Sequence, residues 1–392
     1  MELPDSHIYL VAERAEARLD AFAPLFDLIW RPKRLLLIAG VEDGVLLQRL
    51  ADYLNAREVN TVALLLNLSQ PRESLERLRA VVTRWQRGPF ALNISGGNGL
   101  LLWAALEICR ERGGLSFHRQ GSQLQLLSAP GGSAPIQPSW RLYDLLTLFG
   151  ISGEGGAIEG WPQPLHRAFA LRLLGEIDQV ASALELLGTW ARAADIERGS
   201  VPLRGGLLQD GVQGVIERFE AARLLTLDGG KLFFPNVSVR VFCADRWLTL
   251  CLYEALYAQL QRAARSSEFA FEVILTPSAE EVESISAELL CASDERVFVF
   301  KRSMGDEAAF ETLEQLYALH AWIPNLTPIL FMLSTPSEHL TLRAAELSVS
   351  ICGPAALRQL PSWFAEQLGI GVESTRSARA PRAPGAIEAP TS

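Results

Sequence analysis

The sequence predicts an α/β protein that opens with a parallel sheet flanked by helices. Three observations carry the prediction. Short apolar runs alternate with amphipathic stretches between residues 7 and 110, the pattern of strands joined by crossover helices. A glycine-dense turn within Ala91-Leu-Asn-Ile-Ser-Gly-Gly-Asn-Gly99 closes one apolar run and opens a helix at once. Further along, helical stretches lead into a short hairpin pattern around Asp228-Gly229-Gly230, and a second run of strands follows.

The elements follow in order. His7-Ile-Tyr-Leu-Val-Ala12 reads as a buried strand and Arg14 to Trp30 as a helix ending near Pro32. Arg34 to Gly40 is a second strand, with a helix through Leu46, Leu50 and Leu54 behind it. Val59 to Leu66 is a third, followed by a helix from Pro71 to Trp85. Leu115–His118 and Leu124–Leu127 read as closing strands. In such sheets ligands sit outside the carboxyl ends of the strands. The turns at Ala12–Arg18, Gly40–Gly44 and Ser95–Gly99 all fall at that edge.

The last of these turns has the chemistry of an anion site. Gly96, Gly97 and Gly99 permit close approaches that a β-carbon forbids. Ser95 and Asn98 stand where N-cap residues belong. The amides they leave at the helix start, backed by the helix dipole, favour a phosphate. Leu101, Ala105 and Ile108 give the helix one apolar stripe, and Gly113-Gly114 stops it. A tight strand-to-helix turn with no ligand explains the same glycines, so the neighbouring sequence has to decide.

Composition narrows the function classes. The chain has 392 residues, enough for two or three cores, with 49% hydrophobic and 21% charged residues. A formal charge of −9 argues against a non-specific coat for nucleic acid. The lysines are only Lys33, Lys231 and Lys301. Cys109, Cys243, Cys251, Cys291 and Cys352 are scattered in apolar runs without zinc-ligand spacing, which predicts buried free thiols in a reducing cytosol. No signal-peptide pattern and no apolar run of membrane-spanning length is present, so the expected location is cytoplasmic, away from membranes.

Ala129–Pro135 is a breaker cluster that predicts a boundary, and Gly153 to Gly160 reads as another break. Leu165–Leu174, Val180–Ala193 and Val212–Leu225 read as helices, with two short strands over Leu224–Phe234. A helix from Asp245 follows, then strands at Phe269–Thr276, Glu288–Ala292, Arg296–Phe300 and Pro328–Leu333. A helix through Leu313 and Leu319, another at Leu340–Glu346, a strand to Cys352 and a helix near Leu357–Phe364 close the domain. The division is therefore 1–130, 136–238, 239–371 and a disordered tail over 372–392.

This layout resembles the CARF-domain effectors of type III CRISPR defence that end in a restriction-endonuclease-like domain. Leu92-Asn-Ile-Ser-Gly-Gly-Asn-Gly99 is similar to the family's Leu-Asn-Leu-Thr-Gly-Gly-Thr-Lys turn. Val11-Ala-Glu-Arg-Ala-Glu-Ala-Arg18 stands in the place of its first ligand loop. Arg246-Trp247-Leu248 resembles the Gly-Trp-Leu-Glu that opens the nuclease, and Leu340–Leu347 with Leu360–Phe364 resemble its closing segments. The resemblance implies a Rossmann-like CARF sensor of cyclic oligoadenylate, a winged-helix-like linker and a PD-(D/E)xK nuclease-like domain. It also implies a homodimer through the first domain. The ligand would meet Glu13, Arg14 and Arg18 on one side and Ser95, Gly96, Gly97, Asn98 and Gly99 on the other.

The departures shape the expectation. Asn98 and Gly99 replace the threonine and lysine that end the family's turn. In the nuclease-like domain a single carboxylate survives, as Glu288. Lys301 stands where a metal-binding glutamate belongs, Ser303 where the catalytic lysine belongs, and Thr249 replaces the glutamate after Trp-Leu. A two-residue shift makes Lys301 the catalytic lysine but puts Val299 in place of the glutamate. Neither register supplies the hard oxygen ligands of a catalytic cation. The expectation is a sensor whose nuclease-like domain has lost its metal site and needs no cofactor. Two alternatives stand: a Mg²⁺- or Mn²⁺-dependent nuclease rebuilt around Glu272, Glu288 and Lys301, and a transcription regulator with the winged-helix-like segment on DNA.

Overall fold

An apolar run buried on both faces forms the centre of the first sheet, where Leu35 to Ala39 are fully inaccessible. The computed structural model describes residues 3–12, 14–127, 132–156, 163–195, 199–203, 210–277 and 283–370. Strands β1 (Ser6–Leu10), β2 (Arg34–Gly40), β3 (Asn60–Leu66), β4 (Ala91–Asn93) and β5 (Leu115–Gln120) are parallel, in the order β3-β2-β1-β4-β5. Strands β6 (Gln123–Leu126) and β7 (Ser133–Pro135) extend the sheet antiparallel. Helices α1 (Ala15–Phe22) and α2 (Gly44–Ala56) cover one face; α3 (Pro71–Trp85) and α4 (Gly99–Glu111) cover the other. The strand order reverses between β1 and β4, so the crevice of the sheet opens there.

Two expectations about the first domain need correction. Its first helix stops at Phe22, not near Pro32, and a 3₁₀ turn over Ala23–Phe26 replaces its continuation. Pro24 has no amide to offer a helix. The Asp27 carboxylate instead accepts from the amides of Ile29 and Trp30, at 2.7 and 3.3 Å. The sheet also runs past the boundary at 130, because β7 pairs with β6.

Helix α5 (Leu142–Leu148) and strand β8 (Ile151–Gly156) come next. The glycine run read as a break is in part this strand, which forms the edge of the third domain's sheet by pairing with Glu268–Pro277. Small residues suit the position: a β-carbon on Gly155 would lie 2.7 Å from the Val273 side chain. Residues 157–160 of that run lie outside the described residues. Helices α6 (Pro164–Gly175), α7 (Ile177–Ala193) and α8 (Asp210–Ala221) then combine with β9 (Ser200–Pro202), β10 (Thr226–Asp228) and β11 (Lys231–Phe233). The small antiparallel sheet β10-β11-β9 gives this module its winged-helix-like form.

One long helical segment enters the third domain. It comprises α9 (Val237–Val241), a π-helical turn over Phe242–Arg246 and α10 (Trp247–Arg262). Strands β12 (Glu268–Pro277), β13 (Ile285–Ser293) and β14 (Arg296–Arg302) are antiparallel. Helix α11 (Gly305–Trp322) leads to β15 (Leu326–Phe331), and α12 (Glu338–Glu346) to β16 (Ser350–Cys352), both parallel to β14. Helices α13 (Pro354–Leu357) and α14 (Leu360–Gln367) finish the described chain, so the tail over 372–392 lies outside it.

The cores cross the sequence boundaries. One cluster joins Phe22 of α1 and Leu37 and Phe117 of the first sheet to Val273, Val299 and Leu316 of the third domain. Another joins Phe169, Leu187 and Phe219 of the linker module to Leu248, Phe298 and Phe364. All five cysteines are buried free thiols, and burial pushes the Cys109 thiol up to about 11. Among the described residues no helix is long and apolar enough to cross a membrane.

Candidate functional site

At the crevice between β1 and β4, Asn93 fixes the glycine turn. This residue is 1% exposed. Its Nδ2 donates to the Ala21 carbonyl at 2.6 Å, and its Oδ1 accepts the Ser95 amide at 2.9 Å. A buried amide so satisfied rigidifies its surroundings. The sequence reading passed over it; the signal was a lone polar residue ending an apolar strand. Ser95 does not cap α4. Its Oγ accepts the Arg119 amide from β5 at 2.9 Å. Asn98 is the cap, accepting from Leu101 N at 2.9 Å, an arrangement that stabilises a helix by about 1 kcal/mol.

The glycines divide by role. A β-carbon on Gly96 would lie 2.5 Å from the Leu10 carbonyl oxygen, and one on Gly97 2.8 Å from the Leu10 side chain. Gly97 also has φ +89°, where other residues are strained. Both are required to seat the turn on β1, with or without a ligand. Gly99 is different, with nothing within 4 Å of a β-carbon. The amides of Gly96, Gly97 and Gly99 make no hydrogen bond to a described backbone or side-chain group. They lie at the N-terminus of α4, as an anion site requires.

The loop that follows β1 leaves it beside this turn. Arg14 is exposed at the start of α1, and Glu13 lies outside the described residues. Arg18 is no surface residue: its side chain is 12% exposed, its Nε donates to the Ala12 carbonyl at 2.8 Å, and it lies 4.0 Å from Asp43. It holds the loop in shape, which leaves Arg14 as the accessible cation. The structure therefore brings Arg14, Arg18 and residues 95–99 to one edge of the sheet.

Glu288 and Lys301, which the resemblance assigns to a nuclease-like site, lie where β13 and β14 pass the π-helical turn. The register Leu289↔Phe300 sets Glu288 opposite Lys301. Their side chains nevertheless take different partners. Lys301 Nζ donates to Ser286 O and Oγ at 2.7 and 3.1 Å, while Glu288 Oε2 accepts the Arg302 amide at 3.0 Å. Glu288 and Lys301 make these bonds and no direct pair with one another. Burial is the main cause that raises the Glu288 carboxyl to about 7 and lowers the Lys301 ammonium; Lys301 partly opposes the first shift.

Arginines fill the rest of the site. Asp245 Oδ2 lies 2.9 Å from Arg192 Nη1 and 3.2 Å from Arg302 Nη1. Arg302 also donates to the Ala244 carbonyl at 3.2 Å. Glu272, at a positive φ of 50° in β12, pairs with Arg246 at 2.7 Å. Thr249 and Ser303 are buried, each 4% exposed. The sequence reading missed Arg192, Asp245 and Arg302, because residues far apart in sequence meet only when α7 lies against the π-turn. Gly188 permits that approach: a β-carbon there would lie 2.5 Å from the Ala244 carbonyl oxygen.

A Mg²⁺ or Mn²⁺ ion needs several carboxylate or carbonyl oxygens around it. Asp245 is held by two guanidiniums and Glu272 by a third. Among the described residues no three His, Cys, Asp or Glu side chains converge as metal ligands.

No family model and no curated protein sequence matches this chain. Solved structures do. Protein VC1899 from Vibrio cholerae matches at 18% identity, covering 93% of this chain and 98% of the other, with a TM-score of 0.74. Can2 from Sulfobacillus thermosulfidooxidans, solved in complex with cyclic tetra-adenylate, matches at 14% identity, covering 92% and 98%, with a TM-score of 0.64. The likeness is one of fold: this chain shares its α/β architecture with both proteins over more than nine-tenths of its length.

Proposed function

We propose that the chain is a CARF-type effector that binds cyclic oligoadenylate at the β1–β4 crevice, with a nuclease-like domain that has lost its metal site. The observation that carries the reading is the position of the glycine turn. Its amides and the Arg14–Arg18 loop meet at the one place where the strand order reverses, and α4 points its N-terminus there. The likeness of fold to Can2, a protein solved with cyclic tetra-adenylate, supports it. In the third domain, the three arginine-held carboxylate contacts and Lys301 opposite Glu288 support a scaffold or partner-binding role over cleavage.

A homodimer follows from the same reading, since a ring with two-fold symmetry is most simply held across an isologous interface. An exposed apolar stripe supports the face: Leu100 and Trp103 on α4 are 41% and 57% exposed. They border a groove of about 260 Å³ lined by Leu66, Leu68, Leu75 and Leu78. Unpaired patches of this kind mark interfaces.

Calorimetry with cyclic tetra-adenylate tests the ligand, and Gly99 offers the clean variants. Gly99→Lys restores the lysine of the resembled turn without a clash, and should tighten binding about tenfold, or about 1.4 kcal/mol. Gly99→Glu, which favours the helix start, should weaken it by a similar factor. Equal affinities in the wild type and both variants would remove the site from this turn. Incubation of the wild type with Mn²⁺, DNA and RNA tests the rest: metal-dependent cleavage would promote the active nuclease.

A further inference from the structure

The geometry points to Arg119 as the residue that couples the candidate ligand site of the first domain to the nuclease-like sheet of the third, through Glu295. The inference rests on the ligand reading above and adds its route of regulation. Arg119 is a positioning residue at the end of β5, and its side chain is only 8% exposed. Both arms of the ligand site converge on it. From the glycine turn, Ser95 Oγ accepts its backbone amide at 2.9 Å. From α1, which follows the Arg14 loop, Asp20 Oδ1 and the Leu19 carbonyl lie 3.4 and 3.5 Å from Nη1. Nε is fixed on the Gly121 carbonyl at 2.7 Å.

The remaining nitrogen reaches out of the domain. Nη2 bonds Glu295 Oε1 at 2.6 Å, in the turn that joins β13 to β14. With the Arg119 side chain shielded and Glu295 34% exposed, the pair is less screened than an ordinary surface ion pair. From that turn the β13–β14 ladder runs unbroken, Ser293↔Arg296 to Leu289↔Phe300, and at its far end stand Glu288 and Lys301. The hairpin is thus a short rigid lever, gripped at one end by the sensor and carrying the nuclease-like site at the other.

The grip has room to change. A cavity of about 830 Å³ adjoins it, bordered by Arg119, Trp140, Asp294, Glu295, Arg296 and Thr327. The other ion pair at the tip, Arg265–Asp294, is longer at 3.7 Å and more exposed, so it restrains the turn less. An anion that draws Ser95 and the start of α1 toward itself shifts the backbone amide and the guanidinium of Arg119 together. The Glu295 contact then tightens or gives way into the cavity. These are the two arrangements that a coupling route requires.

Hydrogen exchange by mass spectrometry on the full chain, with and without cyclic tetra-adenylate, tests the route. In the wild type the ligand should change exchange both at residues 94–102 and across the hairpin at 289–299. Glu295→Gln keeps the shape and removes the charge. It should leave the first response intact and reduce the second at least threefold. Arg119→Lys, which keeps a charge but not the fork, should give an intermediate response. A hairpin response that is unchanged in Glu295→Gln overturns the proposal. So does a variant that raises hairpin exchange equally with and without ligand, since that marks a purely structural contact. No binding to the wild type overturns the ligand reading along with it, so the two failures are distinguishable.

Discussion

Glu288→Gln should stabilise the protein at alkaline pH and leave it unchanged in acid. Burial lifts this carboxyl from its ordinary 4.5 to about 7 in the folded chain, with Asp245 adding to the rise against the Arg302 amide and Lys301. An unfolded chain therefore releases the proton more readily than the folded one. The associated stability is fully present below about pH 4.5 and is lost as pH rises through about 7. The difference corresponds to about 3 kcal/mol at pH 8 and above. Glutamine has the same shape, can still accept the Arg302 amide at its 3.0 Å position, and never ionises. Urea unfolding of both proteins at pH 4.5 and pH 8.5 measures the gap, expected near zero at the first and about 2–3 kcal/mol in favour of glutamine at the second. Glu288→Ala, by contrast, strips the Arg302 amide of its acceptor and should cost about 1–3 kcal/mol at pH 4.5; because alanine cannot ionise either, the same linkage offsets that loss at pH 8.5. A glutamine variant less stable than wild type at pH 8.5 would refute the reasoning, because it would mean that the ionised carboxylate is needed beside Lys301.

Two further outcomes are expected. His7 is 1% exposed in β1, against the Tyr9 and Phe117 rings, and burial lowers its pKa to about 4. The unfolded imidazole takes up its proton near 6.5, so stability is full above that pH and about 3 kcal/mol is lost as pH falls through 4. His7→Phe should flatten this acid branch in a pH series of urea midpoints, and an unaltered branch would assign it elsewhere. Trp103→Glu places a charge in the exposed α4 stripe, where the wild-type side chain is 57% exposed. In sedimentation velocity it should turn a dimer into a monomer, and a dimer that survives it would move the interface off α4.

The sequence by itself determined the local elements and the edge on which the glycine turn had to fall. Apolar period and punctuation were enough for Arg34–Gly40 and for Pro71–Trp85, both recovered at their observed limits. The helix stripe of Leu101, Ala105 and Ile108 is buried as its spacing required, because a helix has only one face to hide. Where the signal was ambiguous, tertiary pairing decided. Gly153–Gly156 reads as part of a break because glycine is a poor strand former, and it belongs to a strand only because β12 offers an edge. Asn98 and Ser95 are equivalent as caps in one dimension; the neighbouring β5 takes Ser95 for the Arg119 amide and leaves Asn98 to the helix. Cross-strand register set Lys301 against Glu288, yet each found a different partner, since side-chain reach and burial are not written in the spacing. Arg192, Asp245 and Arg302 come together from α7, the π-turn and β14, and Arg119 meets Glu295 across two domains. Such contacts join residues far apart along the chain, and only packing brings them within reach.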